Sequence, residues 1–297
     1  MSQLIATHNW MRPESIKRTI ERMRQTGVDA LEISGEPDQY NTRDVRALLK
    51  ENGRTCWGSV TLTLGERNLA SKSMAQREKT VDYMKRVVTL AKELDGQIIT
   101  LVPATVGKVV PDGTEEEEWK WVVDATKECF AHAQKKGVRI AIEPLNRFET
   151  YFFNRAAQAL ALAEAVHPDC GVCLDAFHLN IEEENMYDAI RLAGKRLFDF
   201  HVADNNRFAA GLGQLDWPKI IGTLKEIGYD GAVTNEFVAP VDRTPAAKYP
   251  EMVERNPVDI PPEQLKFIQD HGSSLLTEKF YSDQMRITAE TILPLIK

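Results

Sequence analysis

The chain has 297 residues, a formal charge of −7 at pH 7, 43% hydrophobic residues and 27% charged ones. That is the composition of a globular protein with a large core, and its acidic balance argues against nucleic acid, whose phosphates are met by an excess of Lys and Arg. No apolar run approaches the roughly 20 residues of a membrane span, and Met1-Ser-Gln-Leu-Ile-Ala6 lacks the basic start and apolar stretch of a signal peptide, so a cytoplasmic protein is expected.

Short apolar runs alternate with amphipathic stretches along the whole chain. Strands are predicted at Leu4–Thr7, Ala30–Ser34, Thr55–Leu62, Gln97–Val102, Val138–Glu143, Gly171–Asp175, Leu197–Val202 and Gly231–Phe237. Helical patterns fall near 14–26, 42–52, 76–94, 115–136, 154–166, 183–194 and 216–227, with a last one near 283–296. Gly27, Gly137 and Gly228 each follow a helical stretch and precede a strand, the position where a helix commonly ends with positive φ.

The strands read as nearly continuous apolar runs, as parallel strands buried on both faces do. Strand alternating with helix argues for parallel βαβ units. Length alone suggests two domains, but α/β barrels run to this size as one. Eight units predict a (β/α)8 TIM barrel, a single domain over 1–297, with chemistry at the C-terminal ends of its strands. A doubly wound open sheet would announce a Gly-rich loop after its first strand. His8-Asn9-Trp10-Met11-Arg12-Pro13 is not such a loop.

One interval breaks the rhythm. Residues 238–282 form a long polar connection after strand eight, with prolines at 240, 245, 250, 257, 261 and 262. A loop of this length is usually functional or disordered. It leaves the catalytic face, so a lid or a subunit contact is expected, with a short helix in Pro261-Pro-Glu-Gln-Leu-Lys-Phe-Ile-Gln269. The acidic run Glu115–Glu118 reads as a helix N-terminus stabilised by its dipole. Cys170 and Cys173 have C-x-x-C spacing, but no second ligand pair accompanies them, and all four cysteines are read as free thiols.

Four polar residues end apolar strands in a regular order: Glu143 in Ile140-Ala-Ile-Glu143, Asp175 in Val172-Cys-Leu-Asp175, His201 in Phe198-Asp-Phe-His201 and Glu236 in Val233-Thr-Asn-Glu236. Alone, each is an ordinary helix cap, ion-pair partner or core histidine. At the tips of strands five to eight of a closed barrel, all four surround one point. Such groups converging without a cation would repel and lose solvation, at several kcal/mol per ion. One divalent cation resolves this. Oxygen-rich ligands with one nitrogen suit Mn²⁺, Mg²⁺ or Co²⁺, with Zn²⁺ as an alternative. A cation flanked by two carboxylates can make a carbon acid ionise, which points to sugar chemistry at carbon. The loops that follow carry Asn146, Arg147, Glu149, His178, Asn180, Asp204, Asn206 and Arg207, groups suited to a polyhydroxylated ligand. His178 and Arg207 are candidates for substrate contact.

These segments resemble the xylose isomerase-like sugar isomerase/epimerase superfamily, and within it the D-tagatose 3-epimerase and D-psicose (allulose) 3-epimerase group. The resemblance rests on Glu143-x-x-Asn146-Arg147-Phe148-Glu149, Asp175-x-Phe177-His178-x-Asn180-Ile181-Glu182-Glu183, His201-x-x-x-x-Asn206-Arg207, Gly211-x-Gly213-x-x-x-Trp217 and Glu236. It is dense from about 138 to 237. It implies that Glu143, Asp175, His201 and Glu236 bind one divalent cation, Mn²⁺ first. It implies that Glu143 and Glu236 are the acid/base pair, and that Glu149, His178 and Arg207 hold the O1–O3 region of a ketose. Val102-Pro103-Ala104 stands where the epimerases carry a tryptophan, and the 238–282 connection is longer than theirs.

The expected reaction is C3 epimerisation of a ketose. One glutamate removes the C3 proton to give an enediolate and the other returns a proton to the opposite face. No Lys/Arg/Gly-rich phosphate cradle is apparent, which favours an unphosphorylated sugar. Alternatives are an aldose–ketose isomerase and the catalytic subunit of a C-glycoside deglycosidase-like C–C lyase. A homo-oligomer is expected, with a hetero-oligomer containing a second subunit as the lyase variant. A three-zinc endonuclease of the same superfamily needs more histidines than the six present, and a non-catalytic sugar-binding barrel would not need the acid/base pair.

Overall fold

A computed structural model describes residues 4–242, 244–253, 260, 262–271 and 275–297. Eight parallel strands close into one barrel in chain order, with β8 paired to β1. They are β1 (Leu4–His8), β2 (Ala30–Ser34), β3 (Thr55–Val60), β4 (Ile98–Leu101), β5 (Arg139–Ile142), β6 (Gly171–Asp175), β7 (Leu197–Val202) and β8 (Ala232–Asn235). The helices are α1 (Ile16–Thr26), α2 (Thr42–Glu51), α3 (Met74–Glu93), α4 (Glu115–Lys136), α5 (Ala156–Val166), α6 (Ala176–Glu182), α7 (Met186–Ala193), α8 (Trp217–Glu226), α9 (Pro262–His271) and α10 (Glu278–Ile296). The TIM barrel expected from the alternating pattern is the fold observed.

The helix ends follow local chemistry. Ser15, Asn41, Ser73, Thr114, Asn185 and Asp216 each cap a helix by accepting a backbone N–H, which satisfies donors that have no partner inside the helix. Thr114 and Glu117 form a capping box at the acidic start of α4. Gly27, Gly137 and Gly228 adopt φ of 81°, 69° and 72°, the left-handed turn that lets each helix drop into the next strand.

Packing splits into two layers. Outside the sheet, Ile5, Leu31, Ile33, Ile99, Ile140, Val172, Leu174, Phe200 and Val233 belong to the main core between strands and helices. Each such side chain contributes about 1.5–3 kcal/mol relative to its exposed state. Inside the barrel, Ala6, Ala30, Trp57, Ile98, Ala141, Cys173 and Ala232 form a smaller plug. Above this plug the interior turns polar: Thr100, Glu32, His8, His201, Asp199 and Thr234 are all fully buried. That change of chemistry marks the end of the barrel where the site lies.

Four strands, β3, β4, β5 and β8, are shorter than the predicted runs at their C-terminal ends, because the chain leaves the ladder there to form loops. β3 stops at Val60 rather than Leu62, and β8 at Asn235 rather than Phe237. Helix α6 was not expected; it starts directly from Asp175, whose carboxylate accepts the Phe177 N–H and caps it. Helix α10 begins five residues earlier than its apolar period suggested, at the Thr277 cap.

The connection after β8 runs irregularly to a short turn at Pro250–Met252, then through α9 to α10. The expected short helix is α9; Pro257 and Pro261 lie outside the described residues. The segment is anchored by Tyr249 against Phe208 and Phe280, and by the Thr277 N–H donated to the Met252 carbonyl (2.7 Å). No helix among the described residues is long and apolar enough to cross a membrane.

Candidate active site at the C-terminal end of the barrel

The barrel closure brings the four strand-end residues together. Asp175 and His201 are registered partners across β6 and β7. Glu143 follows β5 and donates its N–H to Leu101, and Glu236 follows β8 and donates its N–H to Val202. Both therefore continue the ladder by one residue. His201 Nδ1 lies 3.0 Å from Glu143 Oε1 and 2.6 Å from Glu236 Oε2. Glu143 in turn groups with Asp175 and His178, with ligand atoms within 4.8 Å of one another.

Glu143 Oε1, Asp175 Oδ2, His201 Nδ1 and Glu236 Oε2 are all buried and have no hydrogen-bond partner of acceptable geometry among the described residues. Buried polar atoms are nearly always satisfied. Four left unsatisfied around one point, one from each predicted ligand, fit a cation. Around a small divalent ion with bonds of ~2.1 Å, adjacent donors lie about 3 Å apart, the spacing that His201 keeps to the two glutamates.

The electrostatics are those of crowded acids around an imidazole. Burial lifts Glu143, and the nearby Glu236 charge adds to it, while His201 opposes. Burial likewise lifts Asp175, opposed by His178. Burial also pushes Glu236 up, but His201 and His8 outweigh it and hold it well below the carboxylate range. His201 is pushed down by burial and raised more strongly by Cys173, Glu143, Glu236 and Glu32. The protein thus gathers positive charge on an imidazole at the point where its carboxylates converge.

Beneath the four residues lies a layer that sequence reasoning missed. Glu32 of β2 places Oε2 3.2 Å from His201 Nε2 and accepts the Thr100 hydroxyl on Oε1 (2.7 Å). His8, at the tip of β1, lies 3.7 Å from Glu236 and 4.0 Å from Glu32. Asp199 accepts the Trp57 indole N–H (2.9 Å) below them. A carboxylate behind a histidine fixes its tautomer and turns its other nitrogen toward the ligand. Glu32 gave a signal, the one charge inside a buried five-residue strand, but its partner is 169 residues away and only closure pairs them.

A second group stands beside the first. The Asn146 side chain accepts the Phe148 N–H on Oδ1 (3.0 Å), so its amide nitrogen faces the site. That nitrogen donates to His178 Nδ1 (2.9 Å) and Glu149 Oε1 (2.9 Å). The Asn146 N–H also donates to His178 Nδ1 (3.3 Å). An Nδ1 that accepts twice leaves the imidazole proton on Nε2, which faces Asp175 Oδ2 at 3.8 Å. Arg207 donates to Glu149 (2.6 Å) and lies 4.7 Å over the Phe177 ring. Burial raises Glu149, but Arg207 and His178 overcome this and keep it low. Arg207 has φ of 61°, a strained value for a non-glycine residue, held by its N–H to the Asp204 carbonyl and its own carbonyl to the Val238 N–H. Its Nε is buried and has no partner among the described residues.

Glu143, Glu236, Glu149, His178 and Arg207 line one cavity of about 290 Å³, with Trp10, Leu62, Leu64, Val102, Val106, Leu145, Val238 and His271 among its walls. That volume equals about ten waters, room for one monosaccharide. The predicted cation ligands and the three predicted substrate contacts are thus at this mouth, Asp175 and His201 just beneath it, whereas Arg147 pairs with Glu182, Asn206 donates to the Leu212 carbonyl and Asp204 accepts from Gly211, Leu215 and Trp217, all away from the cavity. The four cysteines are buried free thiols, raised by desolvation; Cys173 faces His201 inside the barrel, whereas Cys170 is close to the Ile140 carbonyl.

Known proteins resemble this chain. The sequence profile of the xylose isomerase-like TIM barrel family matches residues 20–270. The chain is 32% identical over 235 residues to a D-psicose 3-epimerase of Ruminiclostridium cellulolyticum, covering 74% of this chain and 77% of that protein. It is 28% identical over 234 residues to a 3-dehydro-D-guloside 4-epimerase of Escherichia coli, covering 75% and 87%. A crystal structure of D-psicose 3-epimerase with D-tagatose from Clostridium cellulolyticum H10 superposes with a TM-score of 0.80 at 24% identity, over 99% of this chain and all of that one. That superposition speaks to the fold.

Proposed function

The chain belongs to the xylose isomerase-like TIM barrel family, and from that premise we propose that it is a divalent-cation-dependent ketose 3-epimerase. Its relatives are epimerases, hence isomerases, and give no support to the C–C lyase alternative. The observation that carries the reading is the pair Glu143 and Glu236, both against His201 Nδ1 and both lining the cavity.

The chemistry follows from that pair. One of the two glutamates takes the C3 proton and the other delivers one to the opposite face of the enediolate. The reverse direction exchanges the roles. Glu143, Asp175, His201 and Glu236 would hold the cation, Mn²⁺ by preference, which supplies Lewis-acid polarisation of the substrate carbonyl when bound. Glu149, His178 and Arg207 orient the carbonyl end: His178 offers an Nε2–H, and Arg207 an unshared Nε–H. The apolar walls exclude the water that would otherwise compete for the proton.

A second reading uses the same groups. The Escherichia coli relative is named for C4 epimerisation of a 3-keto sugar derivative, where the proton lost is again adjacent to a carbonyl. The deciding experiment is NMR in D₂O with Mn²⁺ added for turnover and removed before the spectra. Deuterium at C3 of a free ketose supports the first reading; deuterium only at C4 of a 3-keto glycoside supports the second. No exchange on either class ends both.

A further inference from the structure

Of the polar wall residues that the mechanism leaves unused, Thr61 and Thr63 have hydroxyls engaged with the Val102 backbone, whereas His271 keeps an open ring nitrogen. His271, the last residue of α9, is 8% exposed and lines the cavity. Its ring stacks on Phe267 at 4.1 Å, and its Nδ1 lies 2.7 Å from the Phe267 carbonyl. A carbonyl only accepts, so Nδ1 carries the proton and Nε2 of the neutral ring is an acceptor. Nε2 has no hydrogen-bond partner among the described residues. Its closest carboxylate among them, Glu36, is 3.9 Å away and already engaged by both terminal nitrogens of Arg67 (2.9 Å each). Two acceptors facing each other need a donor between or beside them.

The position of this acceptor in the ring of strands matters. Glu149, His178 and Arg207 follow β5, β6 and β7. His271 docks beside Glu36, which follows β2, near Leu62 and Leu64, which follow β3. In a closed barrel of eight, β2 and β3 stand across from β6 and β7. The two polar groups therefore face each other over the Glu143/Glu236 pair. Trp10 lines the same cavity with an indole N–H that is also buried and without a partner among the described residues. A donor and an acceptor together complement a hydroxyl, which does both.

We propose that His271 is a specificity-determining residue that accepts a hydrogen bond from a hydroxyl at the end of the sugar remote from the reacting carbon. The inference rests on the epimerase reading for the direction in which the substrate lies. It gives the segment after β8 a role in choosing substrate. A site built to bond a hydroxyl discriminates strongly against the analogue lacking it, because its polar groups are then left unpaired.

The test compares a ketohexose accepted by the wild-type protein with its 5-deoxy and 6-deoxy forms. Binding is read by saturation-transfer NMR and turnover by C3 exchange, on Mn²⁺-loaded wild type, His271→Ala and His271→Gln. Wild type should bind the parent sugar about tenfold tighter than one deoxy form, the value of one hydrogen bond. His271→Ala should lose that tenfold in KM for the parent, keep kcat, and leave the deoxy sugar unchanged. His271→Gln, which keeps an acceptor, should recover part of it. Equal losses for parent and deoxy sugars, or no loss for either, would overturn the proposal even where the variant is partly misfolded, since misfolding lowers both alike. Exchange at C3 with no change of selectivity sinks this inference alone. A selectivity in binding that His271→Ala removes, without exchange at C3, sinks the epimerase reading alone. Failure of the wild type to bind any of the sugars removes both.

Discussion

Replacing Glu32 by Gln removes one negative charge from behind His201 while keeping the side chain's shape. The amide can donate to the Thr100 hydroxyl through its nitrogen and accept from His201 Nε2 through its oxygen, so both contacts, 2.7 and 3.2 Å in the native protein, survive in kind. What changes is the strength of the second. A hydrogen bond to a charged acceptor contributes about 1.5–3 kcal/mol and a neutral one about 0.5–1.5. The difference of about 1–1.5 kcal/mol lowers the basicity of Nδ1 and with it cation affinity by about tenfold, the low end of the range for partners behind a metal-bound histidine. Burial pushes the Glu32 carboxyl up, but His201 and His8 bring it down to about 2. Its charge is therefore constant near neutrality, and the comparison holds from pH 6 to pH 8. Calorimetric titration of Mn²⁺ into wild type and E32Q reads the effect, with circular dichroism confirming the fold. Equal affinities would refute the claim that Glu32 acts on the cation through His201.

E236Q and E143Q should each lower C3 exchange by about 10²–10⁴ at saturating Mn²⁺, with the melting temperature retained because each change relieves crowded acids; full exchange in E236Q would remove it from the acid/base role. Binding of Mn²⁺ near pH 7 should release a proton from His201, which is held well above the ordinary imidazole range, so affinity should rise with pH, and heats of binding should depend on the buffer's ionisation heat. Buffer-independent heats would contradict this. Asp204 accepts N–H groups from Asn205, Gly211, Leu215 and Trp217 at 2.9–3.1 Å. D204N should cost about 3 kcal/mol, since its NH₂ group faces donors it cannot accept from. Burial lifts Asp204, but these four donors outweigh it and depress its pKa. Its contribution is then present above the ordinary aspartate value of about 4 and lost as pH falls through the lower folded value. Acid unfolding of D204N should lack that component, and identical profiles would refute the assignment.

The sequence made the ring of strands legible because each parallel strand is buried on both faces and three of the helices end in a glycine just before the next strand. It also exposed Glu143, Asp175, His201 and Glu236, because a polar residue closing an apolar run is visible locally. The layer behind them was not legible. Glu32 meets His201 and Thr100 only when β2, β4 and β7 share one interior, and His8 reads as an ordinary strand end. Helix α6 is seven residues long and begins without a linker, too short for a 3.6-residue period to show. His271 stands in a polar, proline-rich stretch whose path over the barrel depends on the packing of Tyr249, Met252 and Phe280.

The most direct test of the joint cation site is to strip the purified protein of metal, measure C3 exchange, and then return Mn²⁺ while counting bound ions. The account predicts no exchange in the stripped protein and recovery at one Mn²⁺ per chain, with Asp175→Asn weakening both the count and the recovery. Undiminished exchange after stripping, or a full complement of tightly held Mn²⁺ in Asp175→Asn, would contradict it.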